Sequence, residues 1–237
     1  GRIYRDWKEG GHGNTNLFKA ITQSSNTYFF DLAYRSDINQ LKKHLSSLGF
    51  GDKACIDCFE EDQVFVPEPS WKMNKHNFGW FKGDTVNMGV GQGYLVSTPI
   101  QLAKYAYIIA NKGKFFDLSL KKDLVKNEKS IEFNKFSNDD WFKLHESMVN
   151  VIEGNTGTAR RLREKKNYIV AAKTGTAELV SGDNREQYSE TRLDDSLRDH
   201  ALIIAFGPMP NPRYAVSVVV ENGESGGSVS YTHLRAH

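Results

Sequence analysis

The residues Lys173, Thr174, Gly175 and Thr176 place a cation, two hydroxyl groups and a flexible backbone position at the end of an apolar run. The run "YIVAA" favours a strand, and glycine within a strand often marks the close approach of another backbone. Such a strand edge could pair with an extended peptide while the lysine and threonine side chains bind a terminal carboxylate. A solvated lysine beside a strand-ending glycine is the simpler interpretation of the triplet by itself.

A second stretch with chemical potential is Ser24-Ser25-Asn26, at a break between two predicted helices. A hydroxyl and a carboxamide two residues apart in a short turn can face one cleft. Ser24 could relay a proton to a leaving amine there, and Asn26 could hold a substrate amide. Alternatively, Ser25 or Asn26 only caps the following helix.

A serine nucleophile that works with these two stretches needs a lysine one helical turn away. The only Ser-x-x-Lys match runs from Ser119 to Lys122 in a polar stretch, and we attribute it to chance. We therefore expect the nucleophile and its lysine to lie upstream of Gly1. The G-x-S-x-G pattern at 223–227 has no acidic residue after Ser225, so a glycine-rich turn is favoured over a nucleophile elbow.

No cofactor or metal site is predicted from the remaining motifs. "GVGQGY", from Gly89 to Tyr94, lacks the G-x-G-x-x-G spacing and is more typical of a turn. Cys55 and Cys58 form a single C-x-x-C, which favours ordinary packing or a local disulfide over zinc. Asp6 and His12 could form half of a metal site, but two ligands do not make one.

The composition indicates a globular domain, with 39% hydrophobic and 25% charged residues. A net charge of +2 with mixed signs gives no reason to expect a nucleic acid partner or an anionic membrane surface. Apolar runs such as "ALIIAF" have strand length and fall short of the ~18 residues that a membrane span needs. The chain lacks an initiator Met, and we expect an internal fragment with a non-native or disordered tail at 228–237.

Helical signals dominate the first half of the chain. Asn14 or Thr15 should cap one helix, and Asp37 with Gln40 resembles a capping box for another. A helix should begin at the Thr98-Pro99 step, and "NDDWFKLHESMVNVIEGN" predicts a long helix that ends near residue 154.

The last third changes to strand signals in "YIVAAKTGTA", "HALIIAF" and "RYAVSVVVEN". The turn "GPMPNPR" should join the last two as an antiparallel pair. Polar surface loops are predicted from about 115 to 138 and again from 180 to 199, the second as a lid or a disordered insert. Helices followed by strands indicate an α+β fold.

Taken in order, longer stretches resemble the transpeptidase domain of class B penicillin-binding proteins, most of all the elongation-specific penicillin-binding protein 2 type. The resemblance runs from about Tyr4 to Gly227. It rests on "YRDWKEGGHG", "SSNTYFFDLAY", "LGFG", "GDTVNMGVGQGYLVSTPIQLAKY", "GNTGTAR", "AAKTGTAE", "LRDHALIIAFGP" and "VVVENG".

The resemblance implies a penicillin-binding/β-lactamase-like transpeptidase fold in which a helical cluster packs on an antiparallel sheet. Residues 1–227 would form that domain without its N-terminal part, so the fold would be incomplete. The implied activity is acyl transfer, in which a D-Ala-D-Ala stem peptide acylates a serine and an amine of a neighbouring stem displaces it. β-Lactams would acylate the same serine, and this fragment without the nucleophile would be inactive.

The resemblance also assigns roles to residues. Ser24 and Asn26 match the second motif of the family, and its third motif falls on four consecutive residues: Lys173, Thr174, Gly175 and Thr176. Lys173 would offer positive charge to the D-Ala carboxylate and to Ser24, and the Thr176 N–H would be an oxyanion donor. Some relatives carry cysteine at the middle position of the second motif, beside Asp and His candidates for a metal. This chain has Ser25 there, so no metal is carried over.

The implied partners are stem peptides, β-lactams and a membrane glycosyltransferase of the elongation machinery, and the implied location is the periplasmic face of the bacterial inner membrane. Two alternatives stay open from the residues. One is a non-catalytic β-lactam sensor or binding module, and the other is a D,D-carboxypeptidase that transfers the acyl group to water.

Overall fold

The structure is a computed structural model that describes residues 3–124, 127–131, 136–163, 167–179 and 198–223. Its helices precede its main sheet along the chain, which confirms the predicted α+β class. The α-helices are α1 (Leu17–Gln23), α2 (Asn26–Arg35), α3 (Ile38–Ser47), α4 (Pro69–His76), α5 (Lys82–Gly89), α6 (Pro99–Ala110) and α7 (Asn138–Glu153). A 3₁₀ helix, Arg160–Arg163, follows α7.

Among the described residues, the main sheet has three strands that lie side by side in chain order and are antiparallel throughout. Its strands are β3 (Ile169–Ala177), β4 (His200–Met209) and β5 (Tyr214–Val220), so all three predicted strands are confirmed. Lys173 lies opposite Ile204 in the register, and Gly207 lies opposite Tyr214 beside the predicted turn. Within the described residues, β3 has a partner strand on one side only.

Both faces of this sheet are covered, which explains the apolar residues in the first half of β3 and in the middle of β4. Ala171 and Ile204 pack with α6 and α7 in one core cluster, while Ala172 and Ile203 pack with the end of α7 in another. Phe206 is 1% exposed and fills the first cluster. Successive residues of β3 therefore face opposite sides of the sheet, as strand geometry requires.

Local capping explains most helix starts. Asp37 accepts hydrogen bonds from the N–H groups of Asn39 and Gln40, and Thr98 forms the predicted capping box with Gln101. The predicted cap of α1 was wrong by one or two residues, because Asn16, rather than Asn14 or Thr15, accepts from Lys19 N at 2.9 Å.

Two helices were not predicted, α4 and α5. They begin after Glu68 and Phe81, and neither of these residues forms a side-chain cap hydrogen bond. Helix α5 ends within the glycine-rich stretch at Gly89, where a Cβ would lie 2.3 Å from the Cβ of Ala33. The absent side chain lets α5 approach α2, a packing reason that local propensity does not reveal.

The segment predicted as a loop from 115 to 138 contains part of a small ribbon, so that prediction was wrong in part. The strands β1 (Lys114–Phe115) and β2 (Lys129–Ser130) pair antiparallel there. The predicted lid lies mostly outside the described residues, and so does the tail at 228–237. Among the described residues, no helix combines the length and apolar character needed to cross a membrane.

Candidate active site

The central contact of the site joins two stretches that are 149 residues apart in sequence. The Nζ of Lys173 donates a hydrogen bond to the Oγ of Ser24 at 2.7 Å. It also donates to the carbonyl of Thr174 at 2.7 Å. The fold thus brings together the two stretches that the sequence singled out.

Burial gives Lys173 unusual acid–base properties. Removing the ammonium from water disfavours its charged form and lowers the pKa of Lys173 to about 8. A protonated lysine has three N–H donors. Ser24 and Thr174 accept two of them in the described part of the chain. The remaining donor and the positive charge suit a carboxylate ligand near neutral pH.

The Ser24 turn, residues 24–26, has a backbone conformation that must be held in place. Ser24 ends α1 in the left-handed region with φ 55° and ψ 50°, which is uncommon for residues other than glycine. The indole Nε1 of Trp7 donates to the Ser24 carbonyl at 2.8 Å. Thr22, in the last turn of α1, donates its hydroxyl to Ser147 of α7 at 3.1 Å. These contacts hold the backbone at Ser24 and just before it.

A buried carboxylate fixes the next residue of the turn. Oδ2 of Asp6 accepts from Ser25 Oγ at 3.0 Å, from Thr27 N at 3.1 Å and from Thr27 Oγ1 at 2.8 Å. Burial raises the pKa of Asp6, but the hydrogen bonds from Thr27 and Ser25 and the nearby His12 outweigh it, so the pKa lies below its usual value. The Asp6 carboxylate thus anchors the start of α2.

His12 completes the cluster around Asp6. Its Nε2 lies 3.1 Å from Asp6 Oδ1, and its Nδ1 lies 3.0 Å from Gln23 Oε1. The side chains of His12 and Asp6 are 2% and 1% exposed. Gln23 in turn donates to Thr156 Oγ1 at 3.0 Å, which ties the end of α1 to the loop after α7. These two side chains were predicted as no more than half a metal site, and the structure gives them hydrogen-bonding partners in the chain.

The predicted capping role of this turn is also present. Ser25 is the N-cap of α2 and is 1% exposed, with its side-chain oxygen 3.5 Å from Tyr28 N. Asn26 is the first residue of α2 and is partly exposed two residues after Ser24. Its predicted role toward a substrate amide stays a prediction.

Thr174 and Gly175 occupy different faces of β3. The hydroxyl of Thr174 lies 2.7 Å from that of Thr158, and the residue is 8% exposed. Gly175 shares a face with Lys173 by strand alternation. A Cβ at Gly175 would meet Leu202 Cβ at 3.6 Å, an ordinary contact, so packing within the chain does not require glycine there. The Thr174 hydroxyl is engaged within the chain, while Gly175 leaves space beside Lys173.

Thr176 lies at the exposed end of β3, where Gln92 reaches it. Gln92 Nε2 donates to the Thr176 carbonyl at 2.7 Å. The interpretation of "GVGQGY" as a turn is confirmed for residues 90–94, while Gly89 ends α5. The sequence did not identify Gln92 as part of the site. The signal that could have identified Gln92 is its position between two glycines, Gly91 and Gly93.

Thr158 was missed as well, although "NTGTA" repeats part of "KTGTA" in the sequence. A Cβ at Gly157 would lie 2.3 Å from the Val151 carbonyl, so this loop needs glycine to fold back on α7. That close approach places Thr158 beside Thr174.

The other candidate groups lie outside this site. Ser119 donates to Asp57 and to the Lys121 carbonyl in an irregular segment, in agreement with a chance Ser-x-x-Lys match. Cys55 and Cys58 form a local disulfide. Across the described ranges, they and Asp57 are the only group of three or more His, Cys, Asp or Glu side chains close enough to share an ion, and the disulfide occupies both sulfurs.

Comparison with known proteins decides the family. The family model described as penicillin binding protein transpeptidase domain matches residues 1–236. The chain belongs to this family. The predicted penicillin-binding transpeptidase fold is confirmed.

Individual relatives show the type of transpeptidase domain. The chain is 37% identical over 233 residues to the peptidoglycan D,D-transpeptidase MrdA of Haemophilus influenzae, covering 95% of this chain and 36% of that protein. The PBP2 of Helicobacter pylori, solved in complex with MreC, matches with a TM-score of 0.83 and 33% identity over 96% of this chain and 40% of that chain. The PBP2 of Pseudomonas aeruginosa, solved in complex with WCK 5153, matches with a TM-score of 0.84 and 34% identity over 98% of this chain and 50% of that chain.

These matches show a transpeptidase domain of the PBP2/MrdA type. The chain spans about a third of the length of the MrdA protein it matches.

Proposed function

We propose that the protein containing this transpeptidase chain is a serine D,D-transpeptidase that cross-links peptidoglycan stem peptides during cell elongation and is acylated by β-lactams. The observation that carries the proposal is the 2.7 Å hydrogen bond from Lys173 to Ser24. It joins two family motifs within a domain that matches over residues 1–236. The name of the MrdA relative supports this activity over the β-lactam sensor and the D,D-carboxypeptidase.

The site has two walls, the Ser24 turn and the edge of β3 that carries Lys173 and Thr176. The proposed roles in the reaction are divided between them. The nucleophilic serine, on a segment outside this chain, attacks the carbonyl between the two D-Ala residues. Lys173 binds the terminal carboxylate, and the Thr176 N–H stabilises the oxyanion as charge develops on the carbonyl oxygen. Ser24 passes a proton to the leaving D-Ala amine, and Asn26 holds a substrate amide.

The same proposal includes the location and the partners. The reaction takes place at the periplasmic face of the inner membrane, where lipid-linked peptidoglycan is polymerised. A membrane glycosyltransferase of the elongation machinery supplies the glycan strands. The complex of the Helicobacter pylori PBP2 with MreC supports a place in a larger assembly.

The first test is to read the upstream gene for a Ser-x-x-Lys at the start of a helix and to label the full-length protein with a fluorescent penicillin. Lys173→Ala should lower the labelling rate by about 100-fold, a loss typical of a single preorganised charge-stabilising group. Lys143→Ala is the matched control, because Lys143 lies on the outer surface of α7 with a side chain that is 67% exposed. The proposal fails if no such serine exists or if the two variants label alike.

A second test separates the reaction classes. The purified protein is given lipid-linked peptidoglycan with a glycosyltransferase, and the products are analysed. Cross-linked dimers support the transpeptidase. Release of D-Ala without dimers would indicate a carboxypeptidase, and penicillin labelling without either product would indicate a sensor.

A further inference from the structure

The side of β3 that faces away from β4 offers main-chain groups to a ligand. In a strand, the N–H and C=O of one residue point to the same side, and alternate residues share that direction. Gln92, which does not belong to the sheet, reaches the carbonyl of Thr176. Thr176 therefore points its N–H and C=O away from β4, and so does Thr174, whose carbonyl accepts from Lys173.

The Gln92 carboxamide occupies this edge as a peptide group would. Its Nε2 donates to the Thr176 carbonyl at 2.7 Å, and its Oε1 lies 3.4 Å from the N–H of Glu178. A carboxamide has the donor and the acceptor of a peptide bond. Contact with the C=O of one residue and the N–H of the second residue after it is the pattern of a strand added to a sheet edge.

The backbone around Gln92 is built to present this side chain. Gly91 and Gly93 have φ values of 76° and 74°, a region that glycine enters without steric cost. Gln92 N donates to the Asn87 carbonyl at 2.9 Å, which anchors the turn to the end of α5. The turn is thus fixed at its base, while the long side chain can leave the strand by rotating about its own bonds.

The contact between Gln92 and Thr176 lies on the same strand as Lys173, the candidate carboxylate-binding residue. Thr176 lies three residues after Lys173, which corresponds to about 10 Å of strand. A ligand with a carboxylate near Lys173 and an amide further along its chain would reach the same carbonyl that Gln92 occupies. Peptides and acylamino β-lactams both have this chemistry.

We propose that Gln92 is a specificity-determining residue that closes the edge of β3 and is displaced when an amide N–H of the ligand binds the Thr176 carbonyl. This inference rests on the proposed function. It predicts that Gln92 competes with ligands that bear such an amide more than with ligands that lack one.

The test measures second-order acylation rate constants of the full-length protein with two β-lactams, one with an acylamino side chain and one carbapenem without it. In Gln92→Ala, the ratio of the acylamino rate constant to the carbapenem rate constant should rise about 3- to 10-fold, the value of one net hydrogen bond. Gln92→Met keeps the length of the side chain without its donor and acceptor, and it should shift the ratio in the same direction. Gln63→Ala, at an exposed loop position, is the control and should leave the ratio unchanged.

The outcomes distinguish this proposal from the proposed function. If the unaltered protein is not acylated by either compound, the proposed function fails. If it is acylated but the ratio stays constant or falls in both Gln92 variants, the proposal for Gln92 is wrong and the proposed function stands. If the melting temperature of Gln92→Ala is lower than that of the unaltered protein, the ratio of rate constants measured for Gln92→Met decides whether the proposal for Gln92 holds.

Discussion

The two walls of the candidate active site are held in different ways. The Ser24 turn is fixed by the buried Asp6 carboxylate, which accepts three hydrogen bonds from Ser25 and Thr27. The edge of β3 is fixed by β4 on one side and by the partly exposed Gln92 on the other. The first wall is built before a ligand arrives, and the second keeps main-chain groups that a ligand can take over. The Ser24 turn therefore supplies side chains that are already in position for the reaction. The edge of β3 supplies main-chain groups that can bind a peptide in place of Gln92.

The largest expected effect on stability comes from removing the support of the Ser24 turn. Asp6→Ala would leave the buried Ser25 hydroxyl and the Thr27 donors without their acceptor, and we expect a loss of roughly 3 kcal/mol or more in the free energy of unfolding. Denaturant titration of the chain measures it. Asp6→Asn keeps one acceptor oxygen and should lose less.

Asp139→Ala provides the surface comparison for this variant. Asp139 forms an exposed ion pair with Lys143 on α7, and such pairs contribute less than about 1 kcal/mol. Equal unfolding free energies for Asp6→Ala and Asp139→Ala would show that the Ser24 turn does not depend on the buried carboxylate.

The next prediction concerns the ammonium group of Lys173, which lies on β3 and donates a hydrogen bond to Ser24 in the turn. Because the pKa of Lys173 is lowered from 10.5 to about 8, this side chain loses its proton as pH rises through about 8. Acylation by carboxylate-bearing β-lactams should therefore decline above that pH, and Lys173→Arg, which stays charged, should remove the decline. Between pH 8 and 10.5 the unfolded chain binds more protons than the folded one, so this group makes stability rise with pH there.

NMR titration of the Lys173 side chain in this chain measures the pKa directly. Titration near 10.5 would show that the ammonium is solvated and would remove the basis of the expected pH profile.

A smaller effect on stability is expected from Trp7, whose indole hydrogen bond supports the Ser24 turn. Trp7→Phe removes the indole donor to the Ser24 carbonyl and should cost about 1 kcal/mol, the net value of one hydrogen bond. Amide hydrogen exchange should become faster in residues 24–26 and stay constant in β3. Faster exchange throughout β3 would mean that the two walls are not held independently.

The smallest effect on stability is expected at Gly175. Gly175→Ala adds a methyl group 3.6 Å from Leu202 and should change the unfolding free energy by less than about 1 kcal/mol. The methyl group enters the face that Lys173 occupies, so acylation of the full-length protein should fall while stability is retained.

Gly157→Ala is the matched contrast for this substitution. A methyl group there would lie 2.3 Å from the Val151 carbonyl, so the loop must move and stability should fall by several kcal/mol. If Gly175→Ala destabilises as much as Gly157→Ala, the open space beside Lys173 is not present.

Features that depend on near neighbours in the chain could be predicted from local residue patterns. Asp37 and Thr98 cap their helices through groups two or three residues away, and the β-branched run before Lys173 forms a strand. These signals act within a few residues, so they can be read without knowing the fold. The helices α4 and α5 escaped prediction because neither Glu68 nor Phe81, the residues before them, forms a side-chain cap hydrogen bond. The close approach of Gly89 to Ala33 is a tertiary contact with no local signal.

The site itself forms only when segments that are far apart in sequence pack together. Motif order suggested that Ser24 and Lys173 belong together, but only the packing of α1 on α7 and of α7 on β3 brings their side chains to 2.7 Å. The partners of Asp6 and the reach of Gln92 to Thr176 have no local signature, because each joins segments that are far apart in sequence. Hydrogen bonds of this kind require burial and precise direction, which the chain acquires only when its helices and its sheet have packed.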